Sequence, residues 1–475
     1  MTTLSDLWTG AKRAAVSAAG APAPQLYTQA QYTDMLADWR LLTYCYTGMG
    51  GFRDGTFLVP HMREWLDSTS PNPSRPTPKL IARRKLARYE NTAAKIIDTK
   101  AAALFRIPPT RDAKPSASGA PHPIRAWWDN VDGRGCHVDD LFEEAWTLAG
   151  VLGHVVMLLD RASGTPATKA DETAPYVRLY NALDVPDWSF DENGTQLTGL
   201  RLLESIPRAS IDQPLPSLTA SRSRLVTANG WTLVENGALH SRGEWNLGGC
   251  VPATFLFARR NPFLGAIGQS VLSDPRLYVD EYNLTSEIRE LLRAQTFGML
   301  NIPLGDKTSV QQAQAMIGDM TGASNVLFTP LAANYIQPDA SNVKSYQDER
   351  QQLVRKIYRL CGVPWESDSR DAEAADALKL KREDMNQILA KHADQCEKAD
   401  YELARRWFRW TYGSRWEQEW DAAGIVIRYP DTFDVTPFAE ILEQAQAATT
   451  LEMGPRFDTE LKKRLVTRFL PDAPP

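Results

Sequence analysis

The sequence predicts an α+β fold, mainly helical, and three observations carry that prediction. Ala372 to Tyr412 contains neither glycine nor proline, and Leu378, Met385, Ile388, Leu389, His392, Cys396, Ala399, Leu403, Trp407 and Trp410 form a roughly heptad-like stripe along it. One helix of about 40 residues, ~60 Å long at 1.5 Å per residue, follows from that pattern. Two shorter amphipathic stretches precede it, one from about Leu272 and one from about Ser341. By contrast, Pro175 to Phe257 breaks into short β-rich runs separated by Gly, Asn and Pro turns, the mark of a mostly antiparallel region.

Taken in order, the first 25 or so residues are rich in Ala, Ser and Pro and read as a mobile arm. Gln29 to Thr47 reads as a helix, with Tyr32, Met35, Leu36, Trp39, Leu42 and Tyr46 at helical spacing. Lys79 to Phe105 reads as one further helix that stops before Pro108 and Pro109. Its cationic first half (Arg83, Arg84, Lys85, Arg88) sits at the wrong end for the helix dipole, which suggests a solvated face or a contact with an acidic neighbouring subunit, with nucleic-acid binding as the lesser alternative. The stretch PSASGAPHP looks disordered; a helix from Val138 to Ala149 follows, then the apolar run HVVMLLD (His154 to Asp160), a buried strand candidate. YVRLYNA, LTGLRLLES, SRLVTANGWTLVEN and ATFLFA are the strands of the β region, with Trp188, Trp231 and Trp245 as core or sheet-face anchors.

From Leu272 the chain turns helical again. Asp274 is placed as N-cap before Pro275 at the first helical position, and Leu277, Tyr282, Leu284, Ile288, Leu291 and Leu292 recur at three- and four-residue steps. Between Met299 and Asp339 the period is lost, leaving two short strand-like runs, NVLF and NYIQ. A helix then carries Val343, Tyr346, Leu353, Ile357 and Leu360 on one face and stops at Gly362. A polar loop, VPWESDSRD, separates it from the long helix. That long helix suits a bundle, a coiled coil or a ring-forming element, and equally a long core helix. After Ser414 come a strand (GIVIRYP), a helix from about Pro437 to Thr450, and a basic amphipathic segment, DTELKKRLVTRFL.

Composition narrows the function classes. A net charge of -5 gives no general pull toward nucleic acid or anionic lipid, though it leaves room for DNA to slide in a channel without sticking. No run approaches the ~18 apolar residues of a membrane span, and the N-terminus lacks an apolar signal region. Five scattered cysteines (Cys45, Cys136, Cys250, Cys361, Cys396) without a CxxC pair point to a reducing compartment, with neither disulfide frame nor zinc site. GxxxxGK[ST], HExxH and GxSxG are absent, and the six histidines lack metal-ligand spacing. No catalytic residue, cofactor site or metal site is expected. Adjacent carboxylates (Asp139 with Asp140, Glu143 with Glu144, Asp280 with Glu281) read as solvated acids rather than an acid and base pair.

Three stretches, in this order, carry a family resemblance: LARYENTAAKIIDTKAAALFRIPP; VPATFLFARRNPFLGAIGQSVLSDPRLYVDEYNLTSEIRELLRAQTFGMLNIP; and RKIYRLCGVP with its following long helix. Their succession, from about residue 80 to 450, resembles the portal (head-to-tail connector) proteins of tailed double-stranded DNA phages. Each motif is loose, and specificity lies in the order. The resemblance implies a flexible arm at 1–25 and a wing at 26–271 built of helices plus the antiparallel β region. It implies a first stem helix at 272–298, a clip at 299–340 and a second stem helix at 341–362. A tunnel loop at 363–371, a long wing or channel helix at 372–412 and a crown at 413–475 complete the fold. The crown is short for the family.

The same resemblance implies a ring, usually of about twelve copies, at one capsid vertex, through which double-stranded DNA is packaged and ejected. It implies no catalytic activity. Implied partners are the large terminase, major capsid and scaffolding proteins, and head-completion or adaptor proteins; the place is the virion, after assembly in the host bacterial cytoplasm. In the tunnel loop, Trp365, Ser367, Asp368 and Arg370 offer one bulky ring and mixed charge, and Arg370 is the candidate phosphate contact. Lys379, Lys381 and Arg382 come next, with a solvated helix face explaining them equally well; Trp365 either meets DNA or folds back onto the long helix. The alternatives are another virion component, such as an adaptor or minor capsid protein, and a carbohydrate-active hydrolase suggested by 14 Trp and many acids.

Overall fold

The structure is a computed structural model that describes residues 24–61, 64, 77–115, 119–161, 174–206, 221–296, 299–303, 326–329, 334–336, 341–364, 375–431 and 433. Among the described residues helix outweighs strand, 49% to 19%, in keeping with the α+β, mainly helical expectation.

Helix α1 (Ala30–Thr47) ends where Gly48 takes φ +67, a left-handed turn that lets its N–H reach back to the Tyr44 carbonyl. A single turn, α2 (Gly51–Asp54), follows. The predicted helix from Lys79 to Phe105 is in fact two, α3 (Pro78–Leu86) and α4 (Thr92–Leu104). The reason lies in Asn91, whose side chain accepts from the Ala94 N–H and caps a new helix, while Ala87 is extended. Tyr89 fills the break: its ring stacks on Phe52 at 4.0 Å and its hydroxyl donates to the Cys45 carbonyl. The cationic cluster is also not all solvated. Arg83 is buried, 3.1 Å from the carboxylate of Glu64, with its other nitrogens on His61 and the Val59 carbonyl.

Strand β1 (Thr110–Asp112) precedes a short helix, α5 (Pro123–Trp128). This corrects the disordered reading at its C-terminal end. His122 caps α5 by accepting from the Ile124 N–H, and its ring is stacked 5.3 Å from Phe408. Helix α6 (Val138–Leu152) is capped by His137, with Asp139 and Asp140 in its first turn, where the helix dipole favours negative charge. It passes through Gly153 into β2 (His154–Asp160), which is buried along its whole length as its composition predicted. Gly153 sits at φ +95, and a Cβ there would lie 2.2 Å from the Gly268 carbonyl oxygen. The two backbones meet at a distance that only glycine permits.

The β region holds β3 (Tyr176–Asn181), β4 (Asp187–Phe190), β5 (Leu197–Glu204), β6 (Arg222–Thr227), β7 (Gly230–Glu235), β8 (Ala238–Glu244) and β9 (Ala253–Phe257). They form two antiparallel sheets, β3-β2-β9 and β4-β5-β6-β7-β8. The sequence reading missed β4 and β8; β8 alternates exposed and half-buried residues with few apolar ones. Trp188, Trp231 and Trp245 are buried, as expected of anchors. Arg224, between Asp160 at 2.9 Å and Glu204 at 2.7 Å, ties the two sheets together through buried charge.

Helix α7 (Pro275–Thr296) begins with Asp274 accepting from the Arg276 N–H at 3.0 Å, the predicted cap. A small sheet follows, with β10 (Met299–Pro303) between β11 (Val326–Thr329) and β12 (Asn334–Ile336). The central strand was not anticipated; the outer two were. Helix α8 (Ser341–Leu360) ends at Gly362, φ +65. Helix α9 (Ala375–Tyr412) runs unbroken for 38 residues. Its C-terminal half is core, with Leu403, Trp407 and Phe408 buried. The chain then returns to the body through α10 (Trp416–Ala423) and β13 (Val426–Arg428), which pairs antiparallel with β1. The expected helix at 437–450 and the basic segment after it lie outside the described residues.

One core joins these parts: α1, α4, α6 and α9 pack around β2 and β9. Trp39, Phe142, Trp146, Ile96, Ile97 and Phe408 are fully buried within it.

Candidate functional site: the α7–α8 pair and the root of the following loop

Helices α7 and α8 run antiparallel. The hydroxyl of Tyr278, in the first turn of α7, lies 3.7 Å from Cys361 just past the end of α8, while Arg350 of α8 reaches Glu281 at 3.5 Å. At 1.5 Å per residue the 22 residues of α7 span about 33 Å. Exposure changes along that length. Tyr278, Tyr282, Thr285 and Ser286 are buried in the body, whereas Leu292 is 42% exposed; on α8, Ile357 is fully buried and Tyr346 is 37% exposed. The pair therefore starts inside the body and emerges from it, carrying the β10–β12 sheet between its far ends.

Polar groups weld the inner half to the body. Asn283 accepts from the Val59 N–H at 2.8 Å and donates to the Phe57 carbonyl at 3.0 Å. Tyr282 donates to the Phe52 carbonyl at 3.2 Å. Glu281, expected to be an ordinary solvated acid, is buried at 1% exposure; it accepts from the Thr92 hydroxyl at 2.9 Å and meets Arg350, which also pairs with Glu90. Burial pushes the Glu281 carboxyl up to about 7, with Thr92 and Arg350 pulling the other way. Asp139 departs from the solvated-acid expectation as well: it pairs with Arg111, which also binds the buried Asp400 at 2.7 Å.

Outward, α8 is a polar helix face. Lys344, Gln347, Asp348, Glu349, Arg355, Lys356 and Arg359 are exposed. Val343, Val354 and Ile357 form the narrow stripe that packs inward.

Past Gly362 the loop begins. Trp365, Ser367, Asp368 and Arg370 lie outside the described residues. Lys379, Lys381 and Arg382 lie near the start of α9.

A cleft of about 640 Å³ opens at the loop's root, between the start of α7, the end of α8, α9 and the segment after β9. Lys100, Arg259, Arg260, Arg359 and Lys391 line it, beside His392. Lys100 is 2% exposed, and its ammonium donates to the Cys361 carbonyl at 2.5 Å, satisfying an oxygen at the end of α8. Burial, reinforced by Arg259, lowers its pKa to about 8. His392 donates from Nδ1 to the Ala258 carbonyl at 2.8 Å and is held neutral, its pKa lowered to about 4 by burial and by Lys100. The sequence reading passed over these cations. A signal existed for Lys100: it occupies the apolar stripe Ala93, Ile96, Ile97, Ala101, Leu104 of α4, where a solvated lysine does not belong.

Among the described residues no group of His, Cys, Asp and Glu is placed to hold a metal, and no helix is long and apolar enough to cross a membrane. No family model matches the chain, and no curated protein does. Similar solved structures exist. One is a chain from the neck of an empty gene transfer agent particle computed with C6 symmetry, at 12% identity and TM-score 0.42, covering 84% of this chain and 97% of that one. A second comes from the neck of a native particle computed with C12 symmetry, at 13% identity and TM-score 0.40, covering 81% and 90%. A third belongs to the virion of the native gene transfer agent particle, at 12% identity and TM-score 0.38, covering 76% and 85%. With TM-scores below 0.5, these likenesses carry no functional weight.

Proposed function

We propose that the chain is a portal subunit: a ring-forming virion protein through which double-stranded DNA is packaged and ejected, without catalytic activity of its own. The observation that supports this best is the antiparallel α7–α8 pair that emerges from the body with a small sheet at its far end and is followed by a short loop and a 38-residue helix. In this reading the pair is the stem, the small sheet belongs to the clip and the long helix is the channel helix of the resembled family. A polar α8 face suits a surface that meets neighbouring copies or water in a channel, and a cyclic ring needs each subunit to offer two different faces that close by rotation. In this reading the β10–β12 sheet is the docking platform for the large terminase and later for head-completion proteins, and the body meets capsid and scaffolding proteins.

The test is the mass and rotational symmetry of the purified chain, by light scattering with class-averaged electron images. A ring of about twelve copies with a central hole is expected; a strictly monomeric protein at every concentration and salt, also when mixed with its capsid protein, overturns the reading. Within it, Arg370 is the proposed phosphate contact of the loop, with Lys379, Lys381 and Arg382 behind it. Arg370→Glu is expected to leave ring assembly intact and lower packaged DNA; unchanged DNA content removes the phosphate role.

A further inference from the structure

We infer that the cleft at the root of the loop is a binding site for a phosphate-type anion, free phosphate or a phosphodiester group. Five cationic side chains line it, Lys100, Arg259, Arg260, Arg359 and Lys391, against two carboxylates, Asp274 and Asp394. Both acids are already engaged: Asp274 caps α7 and lies 3.5 Å from Arg276, and Asp394 takes the Lys398 ammonium at 2.6 Å. Arg259, Arg359 and Lys391 have no side-chain partner among the described residues, and Arg260 lies over the Phe257 ring at 4.9 Å. The excess of positive charge is thus uncompensated within the described chain.

A second observation points the same way. Lys100 is almost wholly buried, and its described partner is a neutral carbonyl, not a carboxylate. An ammonium has three protons to donate, and burying it without a counter-charge is costly. An anion in the cleft would supply the charge that Lys100 lacks and take the guanidinium forks of Arg259 and Arg359, whose planar geometry suits phosphate oxygens. The inference does not depend on the portal reading. It rests on a cavity, its charge and a buried cation, and it holds for a monomer as for a ring.

The experiment uses the full chain at fixed ionic strength, titrating inorganic phosphate against chloride and following thermal unfolding and ³¹P line width. A saturable stabilisation by phosphate is expected. In the double variant Arg259→Gln with Lys391→Gln, both exposed side chains, apparent affinity should weaken by about tenfold or more while unfolding without phosphate stays within about 2 °C. No saturable shift beyond chloride, or one unchanged in the double variant, overturns the proposal. A second arm measures a labelled short DNA duplex by anisotropy: displacement by free phosphate assigns the site to phosphodiester groups, and phosphate binding without displacement assigns it to the free anion. A glutamate-rich peptide that competes with phosphate and binds more tightly than phosphate or duplex overturns the phosphate class and gives the cleft to an acidic protein segment.

Discussion

The body and the outer half of the α7–α8 pair differ in how much of their surface is buried. In the body, α1, α4, α6 and α9 close on β2 and β9 through side chains that see no water, so stability there is hydrophobic burial and close packing. The inner half of the pair shares that core through Tyr278, Tyr282 and Ile357 and adds polar contacts from Glu281, Tyr282 and Asn283, whereas the outer half exposes residues on both helices. The contrast teaches that the pair is rooted in the core by burial and hydrogen bonds, while most of α8 beyond that root is exposed.

Substitutions can break or sharpen that contrast. The largest effect is expected in the body. Trp146→Ala deletes a fully buried indole and should cost about 3–5 kcal/mol, read as a lower denaturation midpoint; a loss under about 1 kcal/mol would mean the body is not one packed unit. Gly153→Ala should cost about 3 kcal/mol, since its Cβ meets the Gly268 carbonyl and φ is +95. A crystal structure of a variant that stays stable would have to show the two backbones moved apart.

Next comes the polar root of the pair. Glu281 has its folded pKa raised from 4.5 to about 7, so its proton is held more tightly in the folded state. That contribution is fully present below about 4.5 and is lost as pH rises through about 7, on the order of 1–3 kcal/mol. Glu281→Gln should flatten this part of the stability–pH curve between pH 4.5 and 7. Parallel curves for variant and wild type would show that Arg350 and Thr92 offset the burial completely. The smallest effect belongs to the outer face: Arg355→Ala and Lys356→Ala should each change the stability of the isolated chain by less than about 0.5 kcal/mol. A larger loss would place that face inside a contact.

Where the sequence reading succeeded and where it failed follows the same division. Long periodic segments were legible: α1, α6, α7, α8 and the 38-residue α9 all stand where apolar spacing and end signals put them. HVVMLLD was legible as a buried strand because nothing polar interrupts it before Asp160. The break at Asn91 was missed because a cap inside a helix-forming stretch has no periodic signature, and β8 because few apolar residues mark it. Of the proposed site, the loop residues Trp365, Ser367, Asp368 and Arg370 were read from position alone, and the cleft beside them was not seen. Its cations come from α4, α8, α9 and the segment after β9, and no linear spacing relates Lys100 to Arg259 or Lys391.

The sequence by itself determined the element types and their order, because periodicity, proline, glycine and capping residues act within a few positions of one another. Tertiary structure alone decided which polar residues are buried: that Arg83 meets Glu64, that Glu281 is shut away beneath Arg350, and that Lys100 lies under the end of α8. The physical reason is that a charge's energy depends on the water and partners around it, and those are brought from distant parts of the chain only when the core closes.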